Sequence, residues 1–495
     1  MKRYFFTGKI FLTGIIIAQV IATIQVYLSN LAQFHSIEML NNAGFLIIPN
    51  TRIMHSLLEF APAFYGGLFF SLSAGAALSL MAFSSAWVWV RYFLRKKIIL
   101  FIYLIFWLLL IIDINLKGFC PINTSYFIFI SPVVFIATLR YMPEQSLKIH
   151  RWIKAGYILP AIGLVFFWIL QVNSGLFTNI RDYILLSNGP GKKVNDFYYR
   201  YTLYPATVIK TLEQKTLKTC RFENIDNNNL LDSLKKELIR YDYLEITQTG
   251  PVDLTIEQHG NELAFNNNGK MVLDTSVTEF LSNPGNILNK FSSGIDDNGF
   301  FRRFIFFSIL TGFPAVLIIL YYTFTGIILS AFLDYRHAAI VSLFLCLSTG
   351  IIVSVIYSYN ADRKINENNL SESLNSARWQ DRVIALKIID RNRFNIAGYG
   401  EYKKLLSSPH IPVRYWLAKS LGETRNPDTY KDLLQILDDP CPNVVCMAYQ
   451  SMGKRGEKES IMEILKRIKI SGHYYEQWYA YNALRNLGWN QAKLD

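Results

Sequence analysis

The sequence predicts a mainly α protein with three parts. These are a polytopic helical membrane domain, a small α+β domain outside the bilayer and a C-terminal α-solenoid. Three observations carry this reading. Apolar runs of about 20 residues, the length needed to cross a bilayer, recur along the chain. A polar stretch with short alternating segments interrupts them. Helices that close at a fixed spacing fill the last quarter. Composition agrees: the 495 residues are 51% hydrophobic and only 18% charged, against roughly 25% charged in an average soluble domain. With 35 Phe and 29 Tyr, the chain is neither disordered nor collagen-like.

Seven stretches qualify as spans: Ile10–Leu28, Phe60–Val90, Ile98–Ile114, Ile122–Leu139, Ala155–Val172, Phe304–Leu333 and Ala338–Tyr357. The first follows Lys2, Arg3 and Lys9 but is longer than a signal-peptide core, contains Gln19 and Gln25, and reads as an uncleaved anchor. The second carries Gly66, Gly67, Ser71, Ser73, Ala74, Gly75, Ala76 and Ala77. Small residues let helices approach closely in lipid, so this run predicts a packing seam. The expected division is 1–180 (five spans), 181–303 (α+β domain), 304–357 (two further spans) and 370–495 (solenoid).

The formal net charge is +13, and most of the surplus lies in short loops. Eleven Lys and Arg flank the N-terminus and the loops after the second and fourth spans; only Arg52 and Lys117 occupy the alternate loops. The positive-inside rule then places the N-terminus in the cytoplasm, as in a multi-pass bacterial inner-membrane protein. Seven crossings put both soluble domains on the far side. Charge confined to such loops argues against nucleic-acid binding. The spans hold almost no ionisable group, Asp113 lying at a span end, and show no matched interrupted halves, which argues against an autonomous transporter.

Between the fifth and sixth spans, Asn195 to Pro205 contains five aromatics with Arg200 among them. This run suits a packed juxtamembrane core, an interfacial surface or a site that binds a ligand by stacking or cation–π contact. Leu230–Tyr241 has the spacing of an amphipathic helix. Strands are expected at Tyr243–Thr247, Val252–Gln258, Glu262–Phe265 and Lys270–Leu273, with a hairpin turn at Asn266–Gly269. The five cysteines, Cys120, Cys220, Cys346, Cys441 and Cys446, form no CxxC pair and suggest neither a disulfide scaffold nor a zinc site. Cys120 and Cys220 would share the oxidising side if the topology holds. No catalytic constellation, cofactor motif or metal motif is evident, so no cofactor is expected.

After residue 370, four helical segments align: Arg382–Asp390, Arg414–Gly422, Val445–Gly453 and Ala480–Gly488. Their ends are about 31–35 residues apart, with second helices at Tyr430–Leu437 and Ser460–Ile468, and a degenerate one at Phe394–Lys404. The closing glycines read as left-handed caps. His410-Ile411-Pro412-Val413-Arg414, Ala418, Leu421-Gly422, Leu433-Leu434, Leu437 and Asp438-Asp439-Pro440 resemble HEAT-like repeats of the phycobilisome-lyase type, over about 115 residues. The resemblance implies a HEAT-like solenoid of a kind that occurs in scaffolds, adaptors and a few enzymes.

Three functions follow: a non-catalytic membrane scaffold whose repeats bind a protein, a subunit of a transport or envelope complex, or a lyase-type enzyme acting on a bound cofactor. Lys387, Lys419 and Arg485 occupy one slot in three repeats and would stack into a cationic stripe. With Arg414, Trp416 and Trp478 they are the candidate contacts for an acidic protein partner.

Overall fold

The computed structural model describes residues 2–142, 166, 174–361 and 367–493. Among these residues, five helices are long and apolar enough to cross a membrane. Helix α1 (Lys2–Asn42) is 41 residues long. At about 1.5 Å per residue it measures about 60 Å, twice the hydrocarbon thickness, and so projects beyond it. Helices α2 (Phe60–Arg91), α3 (Lys97–Ile114) and α4 (Pro121–Tyr141) follow. Of the expected span Ala155–Val172 only residue 166 is among the described residues.

The small-residue seam of α2 packs along α1. A Cβ on Gly67 would lie 3.0 Å from the Thr23 backbone nitrogen, and one on Gly75 would collide with Ala18. Single π-turns at Ser71–Gly75 in α2 and Tyr126–Ile130 in α4 widen both helices where they meet α1. Polar side chains within the bundle bond to each other. Gln25 Nε2 donates to Asn123 Oδ1 (2.8 Å), Tyr126 Oη to Gln25 Oε1 (2.9 Å), and Asn123 Nδ2 to Asn298 Oδ1 (2.8 Å). By contrast, only 6% of α3 is buried among the described residues.

Two short helices join this bundle to the soluble parts: α5 (Gly189–Tyr201) and α6 (Leu203–Ile209). The sheet that follows has the order β2-β1-β3-β4-β5, with β1 Lys218–Glu223, β2 Tyr243–Glu245, β3 Leu254–His259, β4 Glu262–Asn267 and β5 Lys270–Ser276. β1 runs parallel to both neighbours, and β3, β4 and β5 form an antiparallel meander. Helix α7 (Asn228–Ile239) makes the β1–β2 crossover and buries Leu234 and Leu238. The turn between β4 and β5 uses positive φ at Asn268 and Gly269, as the Asn–Gly signal predicts. Strand β1 is an addition to the sequence reading.

Helix α8 (Gly299–Leu329) returns through the bundle and α9 (Tyr335–Ala361) follows it as an antiparallel neighbour. The turns at one end of the bundle touch the soluble part. Lys117 Nζ bonds to the Ser293 carbonyl (3.2 Å) and Cys120 lies by Asp297. Leu46, Asn50 and Arg52 bond to the C-terminal domain. The sheet domain and the C-terminal domain therefore both contact that end of the bundle.

The C-terminal domain is an α-solenoid. Its first helices are α10 (Trp379–Asn392), α11 (Ile411–Ser420), α13 (Pro442–Arg455) and α15 (Tyr474–Asn486), each packed on the next. Its second helices are α12 (Pro427–Ile436) and α14 (Ser460–Ile470). The first repeat has only 3-10 turns at Ile396–Gly398 and Tyr402–Leu405 in that place. Hydroxyls bridge successive repeats: Ser420 Oγ donates to the Leu386 carbonyl (3.2 Å), and Ser451 Oγ to that of Ala418 (2.6 Å).

The closing glycines differ from their expected role. Only Gly488 has positive φ; Gly422 and Gly453 do not, and the left-handed cap of α13 is Gly456 (φ 74°). A Cβ on Gly422 would come within 2.8 Å of Ser451 Oγ, and one on Gly453 within 2.9 Å of Ala483 Cα. These two glycines admit the next repeat rather than end a helix.

Candidate functional site

The face that α10, α11, α13 and α15 share is occupied by the chain's own membrane-proximal strap, residues 174–209. At its centre is Asp182, with no exposed surface. Arg181 Nη2 contacts Asp182 Oδ1 at 2.7 Å; Lys387 Nζ contacts Oδ2 at 2.9 Å. Trp416 Nε1 donates to that same Oδ2 at 2.8 Å. A carboxylate this deep is stable only because two cations and an N–H face it. Aromatic faces complete the enclosure: the Arg181 guanidinium lies 3.7 Å from the Tyr415 ring centroid, and Lys419 Nζ 4.6 Å from that of Trp416. Burial lowers the Lys387 pKa, and Asp182 opposes that shift.

Helix α5 begins where Asn188 caps the Gly191 amide and Pro190 fits the first turn. Its inward residues reach α13 and α15. Asn195 and Asn443 exchange amide hydrogen bonds of 2.9 and 3.2 Å, both fully sheltered. The Tyr199 ring lies 4.8 Å from that of Tyr475, whose hydroxyl meets Thr202 Oγ1 at 2.9 Å. Tyr204 of α6 packs on Tyr474, and Tyr474 accepts from Gln33 of α1 (2.7 Å). His473 lies in the same seam; burial first, then Arg200, lowers its pKa to about 4.

Two further contacts fix the domain. Asn50, after α1, puts its side-chain amide beneath the carbonyls of Ile468, Lys469 and Ser471 at 3.0–3.1 Å. Those are the carbonyls a helix end leaves unpaired. The Asn50 amide N–H donates to Gln477 Oε1 (2.8 Å), and Gln491 bonds both ways with the Leu46 backbone. On the sheet domain, Asp242 accepts from Tyr481 and pairs with Arg485 (3.2 Å).

The sequence-predicted residues thus do not form one site. Lys387, Trp416 and Lys419 meet around Asp182, with Lys419 also paired to Asp390 (2.8 Å). Arg414 holds Asp439 through two bonds (2.6 and 3.1 Å) and the Ser408 carbonyl within the repeats. Arg485 grips the sheet domain, and Trp478 packs edge-on against Tyr479. Asp182, Asn195, Asn50 and Asn443, which hold the clasp, were not singled out by sequence. Among the described residues no group of three or more His, Cys, Asp or Glu is placed to hold a metal ion, and all five cysteines are free, Cys220 inside the sheet core.

The family model for HEAT repeats matches residues 402–485. The match covers the second, third and fourth repeats and is to HEAT repeats in general. No curated protein matches the chain.

Proposed function

We propose that this protein is a non-catalytic membrane scaffold that holds a HEAT-like solenoid against the non-cytoplasmic face of a bacterial inner membrane and presents it to a protein partner. The observation that carries this reading is the clasp. One face of the repeats is closed on the chain's own strap, so the solenoid has a fixed place at the bilayer. The acidic surface that the cationic stripe calls for is met by Asp182, so a partner for Lys387, Trp416 and Lys419 must displace the strap. The second-helix face stays open, with Lys431, Gln435, Met462 and Lys466 exposed. The short-loop charge pattern supports the cytoplasmic N-terminus.

The test is quantitative co-purification in mild detergent, comparing M462E/K466E with D182N. Loss of a stoichiometric partner from the first variant alone supports an open-face scaffold. Loss from neither, with a bound chromophore, would favour the lyase-type reading. A second reading, a subunit of a transport or envelope complex, is favoured by α3, which is mostly uncovered by the other described helices. In that case a partner span cross-links to α3.

A further inference from the structure

Helix α5 has three distinct faces, and only one belongs to the clasp. Asn195 and Tyr199 turn toward the repeats. Lys193, Asp196 and Arg200 form a charged face. The third carries Val194, Phe197, Tyr198 and Tyr201, the i, i+3, i+4, i+7 spacing of an apolar helix stripe. Val194, Phe197 and Tyr198 are 58%, 40% and 50% exposed, which is a large apolar surface to leave in water.

That stripe adjoins the lipid-facing end of a spanning helix. The rings of Phe197 and Tyr201 lie 5.6 and 4.8 Å from that of Tyr65 in α2. Tyr65 is about 7 Å along α2 from Phe60, at about 1.5 Å per residue. Phe60 is 68% exposed and stacks on Phe64, and Phe64 packs on Tyr65. Aromatic residues in this arrangement, at the end of a span, mark the membrane–water interface.

We propose that α5 is an interfacial helix whose Val194–Phe197–Tyr198–Tyr201 stripe lies in the headgroup–acyl boundary of the leaflet on the solenoid's side, with anionic lipid as its partner. Two observations choose lipid as the occupant. The stripe continues the lipid-exposed aromatics of α2. Lys193 and Arg200 are exposed on the flanking charged face, outnumbering Asp196, which complements anionic headgroups. One helix thereby touches the repeats on one side and the bilayer on another, independently of which protein the repeats bind.

The test uses full-length protein in nanodiscs of phosphatidylcholine with one quarter phosphatidylglycerol. Cys120 and Cys346 are replaced by Ala, and single nitroxide labels are placed at 193, 194, 196 or 198. Collision with oxygen, which concentrates in lipid, is compared with collision with a water-soluble nickel chelate. Positions 194 and 198 should favour oxygen several-fold, while 193 and 196 favour nickel. Omitting phosphatidylglycerol should lower the oxygen preference at 194 and 198. Nickel preference at all four positions would place the helix in water and overturn the proposal. Exclusion of both reagents at 194 and 198 would mean that a protein or a second copy covers the stripe, and would overturn it too. An unchanged ratio without phosphatidylglycerol would remove anionic lipid as the partner.

Discussion

Replacing Asp182 by Asn strikes the centre of the clasp. The carboxylate has no exposed surface, and it faces Arg181 and Lys387, whose side chains are 19% and 22% exposed. Removing one member of a buried pair costs about 3–5 kcal/mol, because the remaining charge is stranded. Here water reaches both cations in part, and Asn still offers an acceptor to Trp416. The expected loss for D182N is therefore about 2–3 kcal/mol, and for D182A about 3–5 kcal/mol. At about 1.4 kcal/mol per decade, D182N raises local opening roughly 30- to 140-fold. The assay is amide hydrogen exchange of full-length protein in nanodiscs, read on peptides from 174–209 and 411–420, where local unfolding is resolved. Pairing D182N with K387M should recover part of the loss, since neither charge is then stranded. Exchange within about twofold of wild type in D182N would refute the claim that this carboxylate holds the strap.

Other substitutions separate the roles of neighbouring residues. Gly453→Val should cost about 1–3 kcal/mol through overpacking against Ala483, whereas Gly456→Ala, at the left-handed cap, should cost about 1 kcal/mol; thermal melts distinguish the two. Asn123→Ala leaves Gln25 and Asn298 without a shared partner and should lower stability by about 1 kcal/mol in bilayer-like detergent, read as a shift in the melting midpoint. His473 titrates near 6.5 when unfolded and at about 4 in the clasp. The unfolded form therefore takes up the proton first. Stability from this group is present above pH 6.5 and is lost as pH falls toward about 4. H473Q should flatten that part of the melting-temperature profile; an unaltered slope would assign it to other groups.

Much of the architecture was legible in the chain, and the reasons are physical. Spans announce themselves by length and apolarity, and the repeats by spacing, because both are local patterns. Strand β1 (Lys-Thr-Cys-Arg-Phe-Glu) escaped because it is paired on both edges and does not alternate clearly. The purpose of Gly422 and Gly453 could not be read locally, since a glycine needed for positive φ and one needed for close approach look alike. What distinguishes them is Ser451 and Ala483, in the next repeat. Asp182 was missed for a similar reason: its partner Trp416 is 234 residues away. The aromatic run from Asn195 to Pro205 admitted a packed core or an interfacial surface. Tyr199 and Tyr204 turn inward to the repeats, while Phe197 and Tyr198 stay exposed. The cationic stripe was divided because Lys387 and Lys419 face the strap while Arg485 faces Asp242.

The claim on which the rest depends is that the strap lies in the face of the repeats. Tyr199 tests it directly, because its ring packs 4.8 Å from that of Tyr475. A benzophenone side chain placed at position 199 of the full-length protein, irradiated in intact membranes, should form an intramolecular cross-link to a peptide from α13 or α15, identified by mass spectrometry. Cross-links confined to lipid or to other proteins, with none to residues 442–486, would contradict the docked arrangement.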